Sequence, residues 1–377
     1  MGSSATVPEL LAVITSERAS KDIGPDCLRR HSTELVYAAT MHRVPGPLAV
    51  AFERTGVETP AALVAQQQNA ALARMAALHD FEFLASVLGA IDVPYLAFKG
   101  QVLTTLVGRN EWERPSLDLD VLVRVGDMEK AVDALVGAGS LLLDRNWELM
   151  RERMIGEMHL LLPSGTSLDL HWHLLVTESM RSDFAPDHAA LFRTARSVDL
   201  DGVDVPTFGP AETLVYSCLH AGISGGHRLV WLKDIERLVD FDRPDWDDVV
   251  SVARSWRCPL LVGAMLGRTQ RTLGLEVPDE VLARLIPSRV LRRVLAFVDA
   301  RRPVEENSKD ESFLRLATRS VGPDVPATIR RFVSRSTAFA RRRTTHGDFE
   351  SPTALFENHP GDDMRRSFFD ELARRAR

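Results

Sequence analysis

Two aspartates at spacing two, Asp118 and Asp120, lie in an apolar run, Leu117-Asp118-Leu119-Asp120-Val121-Leu122-Val123, with Arg114 and Ser116 just before it. In a strand, successive side chains point to opposite faces, so this spacing sends both carboxylates to one side. Two such charges a few ångströms apart repel unless something neutralises them, and a divalent cation does so directly. Carboxylate-held metal ions suit phosphoryl-type transfer, where they bridge phosphate oxygens and stabilise the attacking and leaving oxygens. A pair at this spacing also occurs on solvated edge strands, so the motif needs supporting neighbours.

Three neighbours supply that support. Asp169 sits at the centre of Ser167-Leu168-Asp169-Leu170-His171-Trp172, a second strand-like run. If that run pairs beside the first, a third acid joins the same face. Lys99-Gly100 closes a short apolar run, 94–98, ahead of a helical stretch. There the glycine lets backbone N–H groups approach a phosphate and the lysine supplies positive charge. Arg114 and Ser116 lie on the loop entering the acidic strand, placed for phosphate contacts. His171 and His173 share a face with Asp169 if the strand extends to them, but no fourth ligand or HxxxH pair supports zinc. His220 reads as a histidine at the edge of a core, and Lys233-Asp234 as an exposed charge pair or a phosphate contact. None of these charged groups is expected to carry the fold. Lys99→Ala and Asp118→Asn should therefore melt like the wild type in the absence of nucleotide.

The elements that must position these residues fall into three stretches. Helical spacing covers 9–18, 33–42 and 59–91, with breaks at Gly24-Pro25 and Pro45-Gly46-Pro47. In the longest, Thr59 caps, Pro60 suits the first position, and Leu63, Leu72, Met75, Leu78, Phe81, Leu84 and Leu88 recur at helical intervals. The texture then changes to strand 94–98, helix 101–107, loop 108–116, strand 117–123 and a helix capped by Asp127. Two hairpins follow, 159–162 with 167–172 and 197–200 with 203–206, the second turning at Asp201-Gly202. From Pro210 onward helical spacing returns over 210–220, 229–241, 245–256, 260–273, 278–285, 289–298 and 327–342. This order predicts an α+β protein with a small mixed sheet. It divides into an N-terminal helical region (1–91), a catalytic core (92–208) and a C-terminal helical domain (209–377).

Composition narrows the classes. With 377 residues, 45% of them hydrophobic, the chain can bury a sizeable core. A net charge of −6 gives no general attraction to nucleic acid or anionic membrane. Three scattered cysteines, Cys27, Cys218 and Cys258, make neither a disulfide framework nor a Cys-rich zinc site, which points to a reducing cytoplasm. No apolar run approaches the ~20 residues that span a bilayer, and no signal peptide is evident. Arginines are frequent near the C-terminus but interspersed with acids, as on a salt-bridged helical face. Phe313, Phe332, Phe339 and Phe349 read as core positions there, so single-strand stacking is weakly supported.

The run from Lys99 to Val123 resembles the polymerase β-like nucleotidyltransferase superfamily. It looks closest to a poorly characterised bacterial branch with Lys-Gly followed by R-x-x-x-D-x-D. The resemblance extends over about 95–238, with the LDLHW setting of Asp169, His220 and the Trp231–Ile235 stretch as later points of likeness. Where the wider superfamily has Gly-Ser, this chain has Gly100-Gln101, and the linker to Asp118 is longer than in many relatives. The resemblance implies a magnesium-dependent enzyme, with Asp118, Asp120 and Asp169 binding two Mg²⁺ ions and Asp169 contributing as general base. Lys99, Gly100, Arg114, Ser116 and Lys233 would contact the NTP. A nucleoside monophosphate would pass from NTP to a hydroxyl or phosphate of a small-molecule or peptide acceptor, in bacterial specialised metabolism. The alternatives are a nucleotide-sugar donor acting on a phosphorylated peptide, or a toxin or regulator nucleotidylating tRNA or protein.

Overall fold

The computed structural model describes residues 6–18, 23–107, 112–114, 116, 118–301, 313–344, 354–356 and 362–375. The chain divides into two compact units. One comprises Met1–Ala71, Leu106–Pro115 and Pro210–Thr345, and the other Leu72–Thr105, Ser116–Gly209 and His346–Arg377. The consecutive regions 1–91, 92–208 and 209–377 read from the sequence thus distribute over two units, each drawn from separated stretches. The α+β class holds, with N-terminal helices, a small mixed sheet and C-terminal helices.

The mixed unit is organised by a five-stranded sheet. Its strands are β1 (Tyr95–Ala97), β2 (Asp118–Val123), β3 (Leu141–Leu142), β4 (Glu157–Leu161) and β5 (Ser167–His171), in the order β1-β2-β5-β4-β3. The central β2–β5 pair is parallel and every other pair antiparallel. In β2, Leu119, Val121 and Val123 occupy one face, and Asp118, Asp120 and Leu122 the other. Leu117, read as the first strand residue, lies outside the described residues. A separate hairpin joins β6 (Arg196–Leu200) to β7 (Val203–Thr207). Its turn residues Asp201 and Gly202 have φ of 51° and 93°, as a two-residue loop matching strand twist requires. Beyond the elements read from sequence, helix Asp362–Arg375 returns to this unit, and Phe368 and Phe369 pack on Trp147 with centroids 6.0 and 5.9 Å away.

The helical unit closes its N-terminal core with residues from far along the chain. Leu11, Leu28, Leu35, Leu48, Phe52 and Leu63 form one buried cluster with Leu229, Val230, Leu232 and Leu273. Pro45-Gly46-Pro47, read as a break, is also the first turn of helix Pro45–Thr55, where a missing N–H is harmless. A methyl group on Gly46 would lie 2.3 Å from Glu113 Cα, so glycine is needed for this close approach.

Two expectations about burial are corrected. In helix Ala61–Gly89, Leu63, Phe81, Leu84 and Leu88 are buried as the spacing predicts, but Leu72 and Met75 are 65% and 68% exposed, and Ala70, Arg74 and Ala77 are buried in their place. Arg74 is held by Asp201 at 3.0 Å and Thr105 at 2.8 Å, so a charged residue occupies a position that periodicity would give to an apolar one. Phe313, assigned to a core, is exposed, while Phe349 and the side chain of Phe339 lie outside the described residues. Among the described residues no helix is long and apolar enough to cross a membrane. The three cysteines are free thiols.

Candidate active site

Register brings the acids together. β2 and β5 pair with Asp120 opposite Asp169 and Asp118 opposite Ser167, so all three carboxylates belong to one face. On the other side of β5, β4 sets His159 opposite Asp169 and Glu157 opposite His171. Ligand atoms of Asp120, Asp169 and His171 lie within 4.8 Å of one another. Asp118 occupies the exposed end of β2, outside this tight group, with its carboxylate 3.3 Å from the Ser116 hydroxyl.

Asp120 is only 5% exposed, and its Oδ1 accepts from Lys99 Nζ at 2.6 Å. The same oxygen lies 3.1 Å from His171 Nε2. Burial pushes the Asp120 carboxyl up, but Lys99 and His171 overcome it and hold the group well below the usual carboxylate range. Asp169 goes the other way. Burial, followed by the neighbouring charges of Asp120 and Glu157, pushes it up to about 6. Two paired carboxylates are thus driven apart by their surroundings, one firmly ionised and one ready to accept a proton near neutrality.

The rest of the sheet face supports this pair. His171 is almost fully buried, packed edge-on against Phe98 at 5.0 Å, and Phe98 stacks on Phe208 at 5.2 Å. Its Nδ1 is 3.3 Å from Glu157 Oε2 without hydrogen-bond alignment. His159 Nδ1 meets the fully buried Asp144 carboxylate at 3.1 Å, and that bond, outweighing burial, raises the imidazole to about 9. Gly100 opens helix Gly100–Val107 with φ of 55°, and a methyl group there would lie 2.9 Å from Asp118 O and 3.0 Å from Ser116 Oγ. Ser116 in turn donates to Asp118 O at 3.2 Å, and Gln101 Nε2 reaches Ser116 O at 3.4 Å. Glycine therefore clamps the helix start to the loop that enters the acidic strand.

The uncharacterised nucleotidyltransferase family matches residues 30–274, well over half the chain. The chain belongs to this nucleotidyltransferase family. Its sheet and flanking helices have the polymerase β-like arrangement of the wider superfamily. No curated protein matches the chain.

Arg114 and Lys233 of this nucleotidyltransferase belong to the helical unit, in ion pairs. Arg114 grips Asp234 through two bonds, Nε–Oδ1 at 2.8 Å and Nη2–Oδ2 at 3.1 Å. Lys233, read as an exposed charge or a phosphate contact, is buried, because Glu17 and Glu236 accept from it at 2.7 and 3.0 Å and the Thr15 carbonyl at 2.6 Å. Burial alone would raise Glu17, but Lys233 and Arg237 hold it at about 2. His173 leaves the acid face, accepting from Leu175 N at 3.0 Å and packing on His188 at 4.3 Å.

Residue-by-residue reading missed Glu157, His159 and Asp144 altogether. Glu157 and His159 at spacing two carried a period-two signal like that of the aspartates; Asp144 carried none, because it reaches the site only through pairing of β4.

Proposed function

We propose that this nucleotidyltransferase moves a nucleoside monophosphate from an NTP to a hydroxyl or phosphate of a small-molecule or peptide acceptor, releasing pyrophosphate. The observation that carries the reading is the group of two carboxylates and one imidazole with ligand atoms within 4.8 Å, on adjacent parallel strands. That donor set fits a divalent cation, since hard oxygen ligands suit Mg²⁺ and an imidazole also admits Mn²⁺. Asp120, Asp169 and His171 would hold one ion, and Asp118, at the open end of β2, would help hold a second. Bound divalent ions would neutralise phosphate charge in the transition state.

The chain's own groups divide the remaining work. Lys99 keeps Asp120 ionised and is itself about one-fifth exposed, so it can pass from that carboxylate to a phosphate oxygen. Gly100 and Ser116, locked together, present a hydroxyl and the start of a helix to the donor phosphates. Asp169, at about 6, accepts the proton of an acceptor hydroxyl as general base. We assign Arg114 and Lys233 to the ion-pair framework of the helical unit. The acidic net charge favours a small acceptor over a polynucleotide, and a place in bacterial specialised metabolism accords with that.

The test is calorimetry of NTP binding with Mg²⁺ and with EDTA, in wild type and Asp120→Asn. Mass spectrometry of candidate acceptors incubated with each NTP then identifies the product. Clear enhancement by Mg²⁺ that Asp120→Asn abolishes is expected; equal NTP affinity in EDTA would overturn the proposal.

A further inference from the structure

The helical unit carries a second concentration of chemistry at the start of helix Leu229–Arg237. The chain enters this helix from Ser224-Gly225-Gly226, whose glycines adopt φ of 102° and 58°. Arg268 braces the loop, donating to Gly226 O at 3.0 Å and pairing with Asp299 at 3.0 Å. A methyl group on Gly226 would lie 2.4 Å from the Arg268 guanidinium. Arg268 thus ties the loop to helix Pro259–Leu273 just before the residues that follow it.

His227 follows, only 2% exposed, and neither ring nitrogen has a hydrogen-bond partner among the described residues. Its ring packs edge-on against Trp231 at 5.3 Å, which sets it over the first turn of the helix. Arg228 is the N-cap residue and makes no side-chain cap; its guanidinium lies over Trp231 at 5.5 Å, and its Nε has no partner. Arg315 and Arg319 approach from helix Phe313–Arg319. The Arg315 stem sits 3.3 Å from where a Gly225 methyl group would be, and Arg319 Nη2 lies 3.5 Å from Ser224 O.

This arrangement reverses the ordinary pattern. The N-terminal end of a helix carries partial positive charge and free N–H groups, and acids are favoured there. This first turn has none, and the acids further along serve other partners: Asp234 binds Arg114 and Glu236 binds Lys233. Cationic groups instead gather round it, and burial followed by Arg315, Arg228, Arg319 and His42 depresses His227 to about 3. This buried neutral imidazole has one N–H to donate, and beside a positive helix end and the Arg228 guanidinium it joins a donor set for an anion.

We propose that His227, Arg228 and the first turn of helix Leu229–Arg237 bind a phosphate-type oxoanion, the phosphoryl group of a nucleotide or of a phosphorylated acceptor. The site stands on this unit's own residues and does not depend on the acid face. Leu229 N–H is given to His42 Nδ1 at 3.4 Å, so tetrahedral oxygens would accept from the N–H groups that follow it, the guanidinium and the imidazole together.

The experiment titrates the full chain with inorganic phosphate at constant ionic strength, read by calorimetry and thermal shift, with sodium chloride as control. Wild type and Asp120→Asn should bind alike, while Arg228→Gln should bind at least fivefold more weakly and His227→Asn should weaken binding further. Arg228 is half-buried and outside the core, so R228Q decides the matter even where H227N fails to fold. AMP and ribose 5-phosphate separate the sources: tighter binding of AMP identifies a nucleotide, and equal binding a phosphoryl group alone, both requiring the loss in R228Q. Chloride reproducing the shift, R228Q binding phosphate like wild type, or D120N losing it would overturn the site.

Discussion

Replacing Lys99 by Ala removes the ammonium that lies 2.6 Å from Asp120 Oδ1 and leaves a carboxylate only 5% exposed, with His171 Nε2 3.1 Å from the same oxygen. Breaking a buried ion pair from one side costs about 3–5 kcal/mol. Lys99 is one-fifth exposed and His171 stays in place, so the cost falls below that range, to about 2–3 kcal/mol. For a unit of this size each kcal/mol lowers Tm by roughly 2–4 °C, giving a drop of roughly 4–12 °C. The sequence alone led to the opposite expectation, unchanged melting, because it did not show that Lys99 neutralises a buried acid. A divalent cation can substitute for the lost charge, so millimolar Mg²⁺ should restore much of the loss and stabilise the variant more than the wild type. The assay is thermal melting in EDTA and in Mg²⁺, with NTP affinity as a second readout, expected to fall roughly ten- to a hundredfold. Melting of Lys99→Ala within ~1 °C of wild type in EDTA, or equal Mg²⁺ gains in both proteins, would falsify this account of the pair.

Two further predictions probe the neighbouring groups. His159 is raised to about 9 in the folded chain against a model-peptide value near 6.5, so its bond to Asp144 contributes stability fully present below about pH 6.5 and lost as pH rises through about 9. The gap corresponds to at most about 3 kcal/mol, and His159→Gln should flatten the dependence of urea-unfolding stability on pH across that window. Gly100→Ala sets a methyl group 2.9 Å from Asp118 O at a φ of 55°, and should lower stability by about 1–3 kcal/mol and weaken NTP binding; unaltered melting and binding would show that the clamp yields freely.

What the sequence revealed depended on period and spacing. Alternation made the shared face of Asp118, Asp120 and Asp169 legible, because a strand repeats every two residues whatever it pairs with. The Asp201-Gly202 turn was legible for a similar reason, since few residues tolerate its backbone. Partnership was not legible. Lys233 and Arg114 show as charges in the sequence, but Glu17 and Asp234, which hold them, lie 216 and 120 residues away. Leu72 and Met75 fit a helical stripe, yet Arg74 occupies the buried side because Asp201 and Thr105 satisfy it. Asp144 escaped notice because its approach to His159 is a product of sheet pairing, not of any local pattern.

The cluster that joins Leu11, Leu35 and Leu63 to Leu229, Leu232 and Leu273 also sets a timetable for synthesis. The first helices can pack on one another as they leave the ribosome, but the apolar surface that Leu229, Val230, Leu232 and Leu273 cover stays open until residues near 229 emerge. At roughly 5–20 residues per second that interval is on the order of 10–30 s, long enough for chaperones to meet the nascent chain. The sheet strands, whose partners all lie between Tyr95 and His171, can pair within that wait. The unit that begins the polypeptide is therefore the one that closes late.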